Sequence, residues 1–293
     1  MHSQYLYLAS KYSYPNRGNK MQSKSKLTAI LFLLTTITLS ATPVYALSGN
    51  TQPDNTHSFV GLVVFYSLDA SGVKIPVSVS SGILLSPTTL LTTAHSCVTN
   101  QAIVCFDQGP ITWSVIDNQL QIEGVTSTYE GTAYVNPEFS MAQTGGLSDF
   151  IHNDLALIIL EEPVPTSVVS TYAQLPTAGL VDTLPKKTDV TLVGYGIQSS
   201  LPGIIMRNSA TAKMVSGNFA WSDEFIRCSA NPGQGRGGIT NGDSGGPVLL
   251  GNTNTVIAIH SYATNQNCVG VTYHARLDIP EVLDWIAEVS LIE

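Results

Sequence analysis

The chain has 293 residues, of which 43% are hydrophobic and only 12% are charged, and its formal net charge is −8. That composition suits a sizeable buried core and excludes a disordered chain or a coiled coil. The acidic balance argues against nucleic acid as a partner.

Charge is unevenly placed along the chain. Residues 1–46 hold 5 of the 13 basic side chains and no Asp or Glu. Residues 1–20 are polar and Tyr-rich and read as an extension ahead of a true start at Met21. Residues 21–46 read as a signal peptide. Met21–Lys26 is short and positive, Leu27–Leu39 is uncharged and mostly apolar, and Val44-Tyr45-Ala46 is a small-x-small cleavage signal. The apolar run is short for a membrane span and Pro43 follows it, so no stable anchor is expected after cleavage. The mature chain is then expected to start at Leu47 and to be secreted, to the extracellular space or the periplasm. Residues 47–293 form the folded part.

From Leu47 onward the chain reads as a β protein. Strand-like runs rich in Val, Ile, Leu, Thr and Tyr occur at Phe59–Leu68, Ser80–Leu85, Leu90–Ala94, Leu155–Leu160, Val190–Val193, Val248–Leu250 and Val256–Ile259. Gly, Pro, Asn, Asp and Ser clusters separate them. Glu161–Gly179, with Pro163, Pro165 and Pro176, reads as a connector between two halves. No internal repeat is evident. An amphipathic helix is expected only at the C-terminus, where Asp278 can cap, Pro280 suits the first turn, and Val282, Ile286 and Val289 share a face. Many short strands over such a length point to barrels or sandwiches.

All four cysteines lie in the folded part, as suits an exported chain. Four cysteines allow three pairings. Proximity favours Cys97–Cys105, which leaves Cys228–Cys268, each bridge stabilising by about 2–4 kcal/mol. A zinc site fails on spacing, because the chain has neither CxxC nor HExxH. Gly233-x-Gly235-x-x-Gly238 spells a dinucleotide fingerprint, but it follows no clear strand and opens no helix, so it is set aside.

Three segments carry chemistry. In Gly242-Asp243-Ser244-Gly245-Gly246-Pro247, glycines around a serine permit a tight turn with outward-pointing N–H groups, able to bind a developing oxyanion. In Leu91–Cys97, His95 follows a β-branched apolar run and so sits at a strand end, where it can serve as the base an unassisted hydroxyl needs. Asp154 opens the apolar run Leu155–Leu160, and a buried carboxylate there needs a hydrogen-bond partner such as the His95 imidazole. The plainer readings are a surface hydroxyl, a structural histidine and a strand-start cap.

Together these segments resemble the chymotrypsin/trypsin family of serine proteases, whose chain order is also His, Asp, Ser. Ser81–Leu85, Asn136-Pro137-Glu138-Phe139, Val193-Gly194-Tyr195-Gly196, Ser261-Tyr262 and Trp285-Ile286 extend the resemblance over nearly all of residues 47–293. It implies two six-stranded antiparallel β-barrels with a C-terminal α-helix and a site in the cleft between them. It also implies a Ser244 nucleophile, a His95 base, an orienting Asp154 and an oxyanion hole made by the N–H groups of Gly242 and Ser244. Polypeptides would be the substrates, no metal or organic cofactor is implied, and a monomer is expected.

The resemblance further implies that Asp243 binds the α-ammonium of the mature N-terminus, here Leu47. Gly238 stands six residues before the nucleophile, where trypsins carry Asp, so cleavage after Arg or Lys is not expected. Gly238, Ile239, Ser261, Ala263 and Gly270 are placed in the substrate pocket, and an apolar or aromatic preference follows. Two departures concern cysteines. Thr240 replaces the one that usually lies four before the serine, and Cys97 stands one place later than usual without its customary partner. The competing reading is an inactive relative that works as a binding protein.

Overall fold

The computed structural model describes residues 47–116, 119–142, 151–196, 204–215, 224–263 and 270–291. The expected extension and signal segment, residues 1–46, lie outside them.

Six strands form the first barrel: β1 (Val60–Leu68), β2 (Lys74–Leu84), β3 (Thr89–Thr92), β4 (Gln101–Cys105), β5 (Tyr129–Val135) and β6 (Ala156–Leu160). Six more form the second: β7 (Asp189–Gly194), β8 (Asn208–Met214), β9 (Phe225–Ala230), β10 (Pro247–Leu250), β11 (Val256–Ala263) and β12 (Gly270–Arg276). All pairings within the barrels are antiparallel. Around the first ring the order is β1-β2-β3-β6-β5-β4, with β4 closing on β1. Around the second it is β7-β8-β9-β12-β11-β10, with β10 closing on β7. The two orders are the same with the strand numbers shifted, a repeat of topology that the side chains do not display.

The apolar runs form strands because closure buries both of their faces. The first seven residues of β1 are all buried. A continuous core runs through the first barrel and on into the helix α2 (Pro280–Val289), which contributes Val282, Ile286 and Val289. A separate core fills the second barrel with Val190, Leu192, Ala212, Met214, Ile226, Val248 and Ile257. Side chains of this size contribute about 1.5–3 kcal/mol each when fully buried.

Several expectations shift at their edges. The strand expected at Ser80 starts at Lys74, and the one expected to reach Ala94 stops at Thr92, because a 3-10 turn (Ala94–Ser96) follows. Strands β4, β5, β8, β9 and β12 were not foreseen. The residues expected to connect the halves do so, linking β6 to the short helix α1 (Leu180–Thr183) that precedes β7. Asp278 does not cap α2, whose N-cap is Ile279. Its carboxylate instead accepts two N–H bonds from Arg276 at 2.9 Å and the Val181 N–H at 2.8 Å.

The expected Cys97–Cys105 bridge is absent, and both thiols are free. Cys97 Sγ donates to Thr93 O at 3.3 Å, while Cys105 is buried within β4 opposite Leu62. Neighbours in sequence can be bridged only when their Cβ vectors converge. Burial pushes the Cys97 and Cys105 thiols up to about 12. Cys228 is also a free thiol, and Cys268 lies outside the described residues.

Candidate active site

Each barrel supplies part of one cluster. His95 sits in the 3-10 turn after β3, Asp154 two residues before β6, and Ser244 in the turn before β10. His95 N–H donates to Asp154 Oδ1 at 2.9 Å, and His95 Nδ1 lies 2.7 Å from Asp154 Oδ2. His95 Nε2 is 3.0 Å from Ser244 Oγ. With an ionised carboxylate at Nδ1, that nitrogen carries the proton, which leaves the Nε2 lone pair facing the serine hydroxyl.

Asp154 is wholly buried and takes a further donor, Ser261 Oγ, at 2.5 Å. Burial alone would raise its pKa, but the His95 imidazole and the Ser261 hydroxyl hold it below the ordinary carboxylate range. Burial would likewise depress His95, and Asp154 beside it raises the imidazole above its ordinary value.

The nucleophile turn is held from both sides. Ser244 O accepts Ser81 N–H at 2.8 Å and Ser80 Oγ–H at 2.6 Å, and Gly242 O accepts Ser81 Oγ–H at 2.9 Å. From the second barrel, Gly245 N–H donates to His260 O and His260 N–H to Gly246 O, at 2.9 and 2.8 Å. Gly245 adopts φ 82°, where a Cβ would also strike Thr92 and Ser81 O. Among the described residues, the N–H groups of Gly242 and Ser244 donate to no protein acceptor. Two such free donors beside a nucleophile suit a developing negative charge.

Asp243 points away from this cluster and is wholly buried. It accepts Thr240 N–H and Gly196 N–H at 2.7 Å each, Thr240 Oγ–H at 3.1 Å, and the Leu47 N–H. Burial pushes its carboxyl up to about 7 despite these donors. Leu47 is buried at 1% exposure within the second core. The chain beyond it pairs with the expected pocket floor, Ser48 opposite Gly238 and Gly49 opposite Gly237.

Other expected pocket residues divide. Ile239 is buried in the second core and offers a substrate almost no surface. The Ser261 side chain serves Asp154 instead of a pocket wall. Ala263 is half-buried against the second core, Gly270 is exposed at φ 94°, and the intervening residues 264–269 lie outside the described residues.

Three features went unforeseen. One is the pair Ser80 and Ser81. Another is Arg207, a buried guanidinium just ahead of β8 that donates across the barrels to Val60 O and Phe106 O at 3.1 and 2.8 Å. The third lies behind the nucleophile turn, where His260 Nδ1 is 3.1 Å from His274 Nδ1 and both rings are wholly buried. Thr272 Oγ1 is 2.8 Å from His274 Nε2, and Val193 O is 3.2 Å from His260 Nε2. The only sequence signal for Arg207 and this pair is polar residues within strand-forming segments.

Among the described residues, no cluster of three or more His, Cys, Asp or Glu could hold a metal ion. No described helix is long and apolar enough to cross a membrane.

Comparisons with known proteins agree with this architecture. The Trypsin family model matches residues 50–286. Among solved structures, HL collagenase is similar with a TM-score of 0.59 and 16% identity, over 84% of this chain and 99% of that one. A scabies mite inactivated protease paralogue is similar with a TM-score of 0.56 and 16% identity, over 84% of this chain and 100% of that one. A comparison with curated proteins finds no match. With its family model spanning both barrels, this chain belongs to the trypsin family.

Proposed function

We propose that the protein is a secreted serine endopeptidase acting through His95, Asp154 and Ser244. The observation that carries this reading is the unbroken run from Asp154 Oδ2 through His95 to Ser244 Oγ, at 2.7 and 3.0 Å. Ser244 Oγ attacks a peptide carbonyl while His95 Nε2 takes its proton. The Gly242 and Ser244 N–H groups receive the carbonyl oxygen as it becomes negative. His95 then returns the proton to the leaving amine, and water releases the acyl group by the same steps in reverse roles. Asp154 keeps the imidazole in the needed tautomer and stabilises the imidazolium. The base must be neutral to work, and its pKa is raised, so activity should fall on acidification at a pH above the ordinary histidine value of 6.5.

Leu47 is proposed as the working N-terminus, its α-ammonium paired with Asp243. Two observations support this. Its N–H already reaches that buried carboxylate. Leu47 also sits at φ 69°, a strained value for a leucine, and this torsion ceases to exist once the preceding peptide bond is cut. Residues 21–46 would then be the export signal. Gly238 places no charge at the pocket floor, which supports cleavage after apolar or aromatic residues.

One solved neighbour is an inactivated protease paralogue, which favours a second reading: an inactive member that binds proteins. A fluorophosphonate probe on the secreted protein decides between them. One adduct per chain, absent from Ser244→Ala, on a protein whose mass matches residues 47–293, is the expected result. The mature mass with no adduct would favour the binding protein.

A further inference from the structure

The turn that carries Asp154 is gripped by the second barrel at two points. One is the Ser261 hydroxyl on the carboxylate itself. The other is Glu224, immediately ahead of β9, which touches none of the three relay side chains. His152 Nδ1 lies 3.0 Å from Glu224 Oε1 and 3.2 Å from Oε2, and Asn153 N–H donates to Oε2 at 3.3 Å. These are the two residues just before Asp154.

The backbone there is unusual. Asn153 occupies the left-handed region at φ 46°, and its carbonyl accepts the Leu155 N–H at 2.7 Å, closing a very tight turn around Asp154. A conformation of this kind persists only where its surroundings impose it. From the first half of the chain, Ser140 and Met141 pair with His152 and Ile151, and Asn153 Nδ2 donates to Glu138 O at 3.4 Å, but neither contact fixes Asn153 against the second barrel. Glu224 stands on rigid ground. Its carbonyl accepts Arg276 N–H at 2.8 Å, and the next residue, Phe225, meets the Tyr262 ring edge-on at 5.7 Å.

We propose that Glu224 is a positioning residue, holding the His152–Asn153–Asp154 turn of the first barrel against the second so that Asp154, His95 and Ser244 stay in line. The proposal rests on the serine-hydrolase reading above. Stability alone does not account for the contact. His152 and Glu224 side chains are 36% and 32% exposed, and ion pairs so open to water add little to folding. Alignment is the more sensitive quantity, since a misplacement of about 1 Å at a reacting group can cost about 100-fold in rate.

The test compares Glu224→Ala with Glu224→Gln. The amide oxygen of Gln still accepts the Asn153 N–H, whereas Ala cannot. For Glu224→Ala, kcat on a peptide substrate should fall about tenfold with KM little changed, and the melting temperature should stay put. Glu224→Gln should recover most of the rate. The readout that does not depend on turnover is the NMR titration of His95 in a Ser244→Ala background. Its midpoint should drop in Glu224→Ala, because a displaced Asp154 supports the imidazolium less, and return in Glu224→Gln. An unmoved midpoint in Glu224→Ala would overturn the proposal. So would an equal drop in both variants, which would make the carboxylate's charge, not its hydrogen bond, the cause. Failure of wild-type protein to label with fluorophosphonate would count against the serine-hydrolase reading, while the His95 titration would still decide the role of Glu224.

Discussion

Asp154 and Asp243 are two wholly buried carboxylates on opposite sides of one serine turn. Each is well supplied with donors: Asp154 with two from His95 and one from Ser261, Asp243 with two from Thr240 and one each from Gly196 and Leu47. Yet Asp154 is held below the ordinary carboxylate range and Asp243 is pushed up to about 7. The difference is a partner that can carry positive charge. Asp154 has an imidazole, while Asp243 in the uncut chain has only neutral donors. At Asp243 the neutral donors do not offset the burial.

The contrast breaks most sharply at Asp154. Asp154→Asn keeps the shape but removes the charge and favours the wrong imidazole tautomer, so kcat should fall about 10⁴-fold with folding intact. A loss of less than tenfold, measured on pure protein with unchanged circular dichroism, would show that the carboxylate does not govern His95.

Asp243 should respond with opposite signs in two forms of the chain. In protein starting at Leu47, Asp243→Asn removes the partner of the α-ammonium. Activity should drop about 100-fold or more as the neighbouring Gly242 and Ser244 N–H groups lose their aim. In a chain with residues retained before Leu47, the same substitution should leave stability unchanged or raise it at pH 8. The folded pKa of about 7 lies above the ordinary 3.8, so in the uncut chain the contribution of Asp243 to stability is complete below 3.8. That contribution is lost as pH rises from there through 7. Melting temperatures of the cut and uncut forms should therefore diverge between pH 5 and pH 8. A gap that stays constant over that range would sink the ammonium pairing.

His260 and His274 sharpen the same lesson from the cationic side. Burial without a carboxylate partner lowers His260 to about 3 and His274 well below the ordinary 6.5. The contribution of these two rings is then complete above 6.5, and below it their unfolded forms take up protons that the folded ones refuse. In protein starting at Leu47, each ring should cost about 1.4 kcal/mol per pH unit from there downward, so denaturant titrations between pH 6 and pH 5 should report close to two protons. A slope of one proton or less would mean that one ring is already charged in the fold.

Much of this was legible from side chains alone, for identifiable reasons. The apolar runs at Val60–Leu68 and Ala156–Leu160 stand out because barrel closure buries both strand faces. His95, Asp154 and Ser244 stand out because glycines, an apolar run and chain order mark their surroundings. Strand β8, with the sequence Asn-Ser-Ala-Thr-Ala-Lys-Met, gave no such sign, since its membership depends on backbone pairing with β7 and β9. The common strand order of the two barrels is hidden for the same reason, being carried by main-chain hydrogen bonds. Arg207 and Ser81 were missed because the partners that give them their roles, Phe106 for one and Tyr195 and Gly242 for the other, are 101 or more residues away. Ser261 was read as pocket because its hydroxyl's real partner is 107 residues distant.

Ser80 and Ser81 carry one more consequence. They belong to the first barrel, yet they hold the carbonyls of Gly242 and Ser244 in the second. The nucleophile turn cannot take its final shape on the strength of its own barrel. In refolding, reactivity toward a serine-directed probe should thus be the last property to return, after secondary structure and after packing of Trp285 against the core. If the proposed peptidase activity holds, a chain in which only one barrel has formed would be unable to cut its own unfolded neighbours, and the order of assembly becomes a safeguard during synthesis.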